Sequence, residues 1–577
     1  MKLDFSACQL TAGRAARSRR SLFLACAGIA VLPLAWHGVS CGHDFDFHLE
    51  SWIETVHHWR EGVAYPHWAA SPNYGAGEPR FVFYPPLSWA LGALLGAVLP
   101  WTWVPLAFTL IALVAMGVAC FRMAREWMTE GGATLAACLY ILNPYTLFVA
   151  YERTAYGELL AAASIPLVLL YALRRKAAVP ELSLAIAALW LTNAPGAVMG
   201  CYAMALLVGW MAITERRWGL IGRAAGGSAL GLGLASFYLL PALVEQRWVE
   251  ISRAIGDGMR VEDSFLFGHT GEPFHDQVLR TASWIAVTLL AATIATAVAA
   301  HRGRQQPKLR SGLLLLAAVI AVLLLPFSDP TWRHVPELQF LQFPWRWLLV
   351  LGLVLSLLAG FGIRQQARTR RSLTLRVGAM LLFALLMAAF SWTRYWQPCD
   401  DEDNVRAQLA TFAAQGFEGT DEYTATAADN GDIQQNLPEV RILPEATSDT
   451  ADSSIAENPE WHPVAPSLAG SVRIHRWQSE HKSVVVDSPA PAFAVLRLMD
   501  YPAWNVVLNG RPITERPRRD DGLMVIPIPA GRSEIEVRYG LTKDMWGGRS
   551  LSLISLVLLM GAVLLRIQAA RNSEQVK

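Results

Sequence analysis

From residue 21 to residue 565 the sequence repeats one pattern, apolar runs of about span length separated by short loops, with arginines gathered at alternate loops. In a bilayer such runs satisfy their backbone polar groups as helices, so this feature demands a polytopic α-helical membrane protein. Basic residues follow the runs at 102–121, 158–173, 182–213, 281–300 and 347–363, namely Arg122 and Arg125, Arg174 and Arg175, Arg216 and Arg217, Arg302 and Arg304, and Arg364 and Arg368. Short basic loops stay in the cytoplasm, which gives about twelve spans and two cytoplasmic termini. The basic leader (Arg14, Arg17, Arg19, Arg20) then precedes an uncleaved first helix. The run at 85–100 is too short to span and reads as a half-inserted or juxtamembrane helix.

Composition agrees: 53% of the 577 residues are hydrophobic, more than a soluble chain of this length carries. Net charge is only +2, but residues 400–544 hold 24 acids against 13 bases, leaving −11 there and +13 on the membrane part. Residues 392–466 are polar and read as irregular. From 467 to 547, period-two runs with Asn509-Gly510 and Ala530-Gly531 at their turns predict hairpins and a small β-sandwich, before a last helix and tail at 548–577. Of seven cysteines, Cys41 and Cys399 fall on the outer side; we read them as two unpaired thiols, with a disulfide as the alternative. The sequence carries no Walker loop, Rossmann glycine pattern, CxxC pair or internal repeat, and nothing in it points to nucleic acid.

The loop after the first span, residues 43–87, is HDFDFHLESWIETVHHWREGVAYPHWAASPNYGAGEPRFVFYPPL and reads as the first loop of an active site. At about 100° per residue, with Gly62 as the stop, Phe45, Leu49, Trp52, Ile53, Val56 and Trp59 share one side, and Asp46, Glu50, Glu54, His57 and Glu61 the other. That pattern predicts an interfacial amphipathic helix. Asp44, His48, Ser51 and Thr55 form a stripe at its edge, so the Asp44 carboxylate and the His48 imidazole share a face. Such a pair can act as base and orienter, or Asp44 can hold a divalent cation. Equally, Asp44 can be an N-cap and the other acids a solvated face.

The same side of the membrane carries Glu78 and Arg80; Glu152, Arg153 and Glu158; Glu262, Asp263, His269, His275 and Asp276; and Arg333, His334 and Arg346. Charges at a membrane rim are costly, and the planar fork of arginine suits phosphate. Snorkelling or structural ion pairing accounts for any single one as well. No spacing matches a zinc site, and no GxSxG elbow marks a hydrolase. Residues 73–87 make a rigid irregular loop whose rings suit either a sugar face or an aromatic belt.

The segments GHDFDFHL, YPHWAASPNYGAGEPRFVFYPPLSW, LNPYTLFVAYERTAYGE, LQFPWRWL, EGTDEYT and YPAWNVVLNG with IPAGRSEIEVRY resemble bacterial membrane proteins labelled 6-pyruvoyl-tetrahydropterin synthase-related. Those in turn resemble the GT-C glycosyltransferase superfamily, including YfhO-like proteins. The soluble synthase that the label evokes needs a His-rich zinc site, for which this sequence has no spacing. The resemblance implies a GT-C-like bundle over residues 1–391 with its first outer loop at 40–86, and an extracytoplasmic domain at 392–547. It implies a bacterial inner membrane, and transfer of a sugar from a polyprenyl-phosphate carrier to a glycan, lipid or protein acceptor on the extracytoplasmic side. Asp44 would be the general base or would hold the cation, with His48 orienting it. Asp46 is the alternative base, turned about 160° from His48 on the wheel. Tyr84 belongs to the Pro-Pro segment that follows, and Glu78 joins the substrate-binding set. Glu152, Arg153 and Glu158 would line the cavity, and Arg346 or Arg80 would offset charge on the leaving phosphate. No cofactor beyond that cation is implied. The alternative reading is a non-catalytic membrane component of envelope polysaccharide or lipoprotein assembly. A transporter ranks last, because the charges cluster at one rim.

Overall fold

A computed structural model describes residues 22–176, 178–255, 259–300, 306–362, 370–414, 416–446 and 467–575. The basic leader, the loop arginines Arg302, Arg304, Arg364 and Arg368, and residues 447–466 of the polar stretch lie outside them.

All twelve apolar runs are helical, but not all are long enough to cross a bilayer alone. Among the described residues eight helices are long and apolar enough, and ten if two bent pairs (Gly219–Leu234 with Ser236–Trp248, Pro307–Leu323 with Pro326–His334) each count as one span. The other two of the dozen are short. Residues 22–37 break at Val31, just ahead of Pro33, and Val179–Trp190 has 12 residues. Asn193 divides the long run at 182–213: its side chain accepts the Gly196 N–H at 2.8 Å and caps Ala194–Glu215. The short run after Pro85 becomes the 11-residue helix Pro86–Gly96.

The two ends of the bundle differ chemically, as the charge pattern requires. At one end Arg174 meets Glu126 at 4.0 Å, Arg566 meets Glu181 at 2.6 Å, and Arg223 donates to the Arg175 carbonyl at 3.2 Å. At the other end the loop after residue 38 joins the segments near 152 and 397. The Cys41 N–H donates to the Gln397 carbonyl at 3.1 Å and the His43 N–H to that of Glu152 at 3.2 Å. Cys41 and Cys399, expected as free thiols, form a disulfide instead. Ser40 explains their meeting: it donates to the Tyr151 carbonyl and accepts from the Gln397 N–H, holding the two chain segments side by side.

The sandwich pairs three strands, β1 (Val440–Leu443), β4 (Ala492–Met499) and β7 (Leu523–Ile528), in the order β1-β4-β7. Five more, β2 (Ser471–Gln478), β3 (His481–Ser488), β5 (Trp504–Leu508), β6 (Arg511–Ile513) and β8 (Gly531–Tyr539), are ordered β2-β3-β8-β5-β6. Every pairing is antiparallel. Val484, Val486, Ile535 and Val537 from one sheet pack with Leu496, Val525 and Ile526 from the other. Asn509 and Gly510 both take left-handed backbone, φ +50° and +78°, in the two-residue turn between β5 and β6. Ala530-Gly531 is not a hairpin, since β7 and β8 lie in different sheets. β1 arises inside the stretch read as irregular; its four residues, between Pro438 and Pro444, are too few to show an alternation.

The helix Phe45–Arg60 ends next to Gly62 (φ +87°), as expected, but it does not lie on a lipid interface. Leu49, Trp52, Glu50 and Glu54 are all buried, so protein covers most of both faces and leaves Asp46 and His57 exposed on the polar one. The β-sandwich supplies part of the cover: Trp68 and Ala76 of the first loop enter its core, and the Ser479 N–H donates to Glu61 at 3.0 Å.

Lys482 of β3 is buried at this junction, 4.8 Å from the Trp504 ring centroid, with its ammonium donating to the Ser479 carbonyl. Burial drives its ammonium down to about 7, against the pull of Glu61 and Glu480. Between about pH 7 and 10.5 the unfolded chain binds more protons there, so the wild type gains stability as pH rises through that window. Lys482→Met is expected to stabilise the fold by about 1–4 kcal/mol near pH 7 and to flatten that rise. Thermal unfolding of both proteins at pH 7.5 and 9.5 checks it.

Candidate active site

Two helices bring the central arginines together. Glu130–Arg153 crosses Pro344–Phe361 so closely at Gly132 and Gly360 that a Cβ on Gly132 would lie 2.4 Å from the Gly360 carbonyl oxygen. That contact sits far along both helices from Arg153 and Arg346. Near the site the first helix is interrupted at Asn143-Pro144, widens into the π-turn Val149–Arg153, and reverses at Thr154, whose φ is +48°. Left-handed backbone at a β-branched residue is strained, and here it returns the chain so that Glu158 meets Arg153.

Arg153 and Arg346 both engage one oxygen of Glu158. Arg153 Nη1 pairs with Oε2 directly, and Arg346 Nε stands 3.6 Å from the same atom. Tyr145 donates to the other oxygen at 2.7 Å, and the Trp345 ring lies 5.0 Å from the Arg153 guanidinium carbon. Arg153 Nη2 reaches Asp44 at 3.6 Å. Arg346 Nη1 donates to the Leu341 carbonyl at 2.9 Å, but its buried Nε has no hydrogen-bond partner among the described residues. Of the two cations, Arg346 is the less committed. Two guanidinium groups on one carboxylate oxygen form a seat where an incoming phosphate can compete for N–H donors. Glu152 is buried as well, with Oε2 unpartnered among the described residues, but the charge near it is that of Arg394, not of the two arginines of the seat.

Asp44 and His48 do not pair. Asp44 makes no capping bond, and its side chain is 40% exposed, turned to Arg153. His48 is enclosed by the rings of Phe47, Trp52, Tyr84 and Tyr156, and its Nε2 lies 3.4 Å from the Tyr84 hydroxyl. Burial drives His48 down to about 4, so the ring is neutral at ordinary pH. The expected base-and-orienter pair is therefore replaced by an Asp44–Arg153 pair and a Tyr84–His48 pair. Spacing put Asp44 and His48 on one face but left open what packs against it.

Glu78 and Arg80 also depart from expectation. Both are buried: Arg80 Nε bonds Glu78 at 2.6 Å, and Nη1 reaches Glu50, the Phe47 carbonyl and Ser51 between 3.3 and 3.4 Å. Glu78 accepts the Thr420 N–H at 2.8 Å. These contacts tie the first loop to the segment at 420 and occupy the Arg80 donors that a phosphate would need.

Asp46 is the acid that opens outward. It lines a cleft of about 520 Å³ together with Tyr74, Glu402, Asp403, Glu418 and, deeper, Glu50. The surrounding protein, then Asp403 and Asp44, hold its carboxyl above the usual range. Burial pushes Glu50 up to about 8 despite the Arg80 guanidinium. Among the described residues no three His, Cys, Asp or Glu side chains converge as a metal site, and Asp44 faces an arginine, which argues against a cation there. Farther off, His269 pairs with Asp276, and Arg333 with Glu262 and Asp329, as surface ion pairs.

Residues 81–395 match the model of the 6-pyruvoyl-tetrahydropterin synthase related domain, described as a membrane protein. The chain belongs to that family. The matched part of this synthase-related chain holds Tyr84, Glu152, Arg153, Glu158 and Arg346, whereas Asp44, Asp46 and His48 precede it. No curated protein matches the chain. Among solved structures, it is similar to the arabinofuranosyltransferase AftD from mycobacteria (21% identity over 67% of this chain and 28% of that one, TM-score 0.42). A mutant class of AftD aligns at 16% identity over 91% of this chain and 42% of that one, TM-score 0.45. The apo oligosaccharyltransferase of Archaeoglobus fulgidus aligns at 14% identity over 69% of this chain and 60% of that one, TM-score 0.42. The synthase-related chain thus spans less than two thirds of each. Sequence reading missed Tyr145, Trp345 and the cleft acids Glu402, Asp403 and Glu418. Tyr145 and Trp345 stand in the motifs LNPYTLF and LQFPWRWL, where they pass for membrane aromatics.

Proposed function

We propose that this protein is an inner-membrane glycosyltransferase that moves a sugar from a polyprenyl-phosphate carrier to an acceptor on the extracytoplasmic side. The observation that carries the reading is the seat formed by Arg153 and Arg346 on one oxygen of Glu158, with Asp44 paired to Arg153 and Asp46, two residues along the chain, lining an open acidic cleft. In this reading the carrier phosphate lies against Arg346 and Arg153, and the acceptor hydroxyl enters by the cleft and gives its proton to Asp46. The acceptor oxygen bonds the anomeric carbon as the bond from that carbon to the phosphate oxygen breaks, and the guanidinium groups hold the leaving phosphate's charge. Asp44 keeps Arg153 in place. The disulfide Cys41–Cys399 supports an oxidising compartment at this end, and the arginine-rich opposite end supports a cytoplasmic one.

Asp46→Asn is expected to lower transfer by about 10²–10⁴-fold while membrane insertion is unchanged. Mass spectrometry of lipid-linked sugars and envelope glycans, with the wild type, the variant and no protein, reads it. Full transfer by Asp46→Asn together with loss in Asp44→Asn would move the base to Asp44; full transfer by both would end the enzymatic reading. A non-catalytic role in envelope assembly draws on one fact, that carboxylates already meet Arg153 and Arg346 without a ligand.

A further inference from the structure

A second cavity, of about 330 Å³, lies away from the arginine seat, where the first loop meets the bent pair Gly219–Trp248 and the opening turns of the last helix. Phe237, Pro241 and Met545 give it apolar walls, while Tyr65, His67 and Arg549 line it as well and supply its polar groups. Arg549 stands in the opening turns of the helix Lys543–Ala569, just ahead of its most apolar 18 residues, whose mean hydropathy is 2.2. At that end of a membrane helix a guanidinium lies at the depth of lipid headgroups rather than of acyl chains. Among the described residues no carboxylate comes within ion-pair distance of Arg549; its one polar contact is His67 Nε2, 3.4 Å from Nη2. That imidazole does not neutralise it. A guanidinium can only donate, so His67 Nε2 is the acceptor in this contact, while Nδ1, 3.4 Å from Glu480, makes no hydrogen bond among the described residues. One N–H of the guanidinium is thereby used, and its full positive charge stays uncompensated at the cavity's edge. The Tyr65 hydroxyl, in a ring packed on His67 and Phe237, is a further donor on the same side. On the two helices that wall the cavity, Leu243, Trp546 and Leu553 expose large apolar side chains, as a surface against acyl chains does.

We propose that this cavity is a binding site for the phosphate headgroup of an anionic membrane lipid, with Arg549 and Tyr65 donating to the phosphate and the chains lying along Phe237, Pro241 and Met545. The volume suits a headgroup and its first carbons, with the rest of each chain outside in the bilayer. A lipid held there would clamp the last helix to the bent pair and, through His67 and Glu480, to the β-sandwich. The proposal does not depend on sugar transfer.

The test uses the full chain in dodecyl maltoside, with thermal unfolding followed against dioctanoyl phosphatidic acid, dioctanoyl phosphatidylcholine and inorganic phosphate. Phosphatidic acid is expected to stabilise the wild type saturably, phosphatidylcholine and inorganic phosphate at least tenfold more weakly. Arg549→Gln is expected to weaken phosphatidic acid binding at least tenfold, Arg549→Lys less, and Tyr65→Phe a few fold. Tyr65→Phe removes only a hydroxyl and keeps the test decisive if Arg549→Gln does not fold. Equal stabilisation by phosphatidylcholine, equal stabilisation by inorganic phosphate, or unchanged binding in both Arg549→Gln and Tyr65→Phe would each overturn the proposal. Asp46→Asn is expected to bind the lipid as the wild type does, which separates failure of this site from failure of the transfer reading.

Discussion

Arg153→Gln is expected to destabilise the protein by about 3–5 kcal/mol, because it strips a direct partner from a carboxylate that is itself buried. Glu158 would keep only Tyr145 and the more distant Arg346, and Asp44 would lose its pair. A glutamine side chain fills similar space and can donate to Glu158, but it carries no charge. The double variant Arg153→Gln/Glu158→Gln removes both buried charges and is expected to recover most of the lost stability. Its transfer activity is expected to stay at background, since the phosphate seat is gone. Thermal unfolding of the purified variants, read beside lipid-linked sugar analysis in membranes, separates the two effects. Recovery of both stability and transfer in the double variant would make the cluster structural only.

Loss of the Cys41–Cys399 disulfide is expected to cost about 2–5 kcal/mol, since the bond closes a loop of 358 residues and its removal frees the unfolded chain. Cys41 is also three residues from Asp44, on the segment whose backbone bonds to Glu152 and Arg153. Cys41→Ser/Cys399→Ser should therefore loosen the site as well as lower the unfolding temperature. Non-reducing peptide mapping checks the bond, and unfolding with and without reductant checks its contribution. An unfolding temperature insensitive to reductant would contradict this account.

The legible parts of this protein are those set by short-range periodicity and by solvent. Runs of apolar residues and the strand alternation after residue 470 each follow from where a side chain's surface must go, and both reappear in the structure. The arginines and acids of the candidate site were legible as residue types at one end of the bundle. Their partners were not. Arg80 and Arg153 look alike in sequence, yet the first is consumed by Glu78, Glu50 and Thr420, and the second meets Glu158 and Asp44. A helical wheel gave the Asp44–His48 face but not the rings of Tyr84 and Tyr156, which come from segments 36 and 108 residues beyond His48. The acids of the 45–60 helix read as solvated because a wheel has no knowledge of a domain about 400 residues later that folds back over it. The sequence by itself determined which groups are present and that they gather at one end of the bundle. Tertiary structure alone decided which charge cancels which, because ion pairing falls off over a few ångströms while the partners lie hundreds of residues apart.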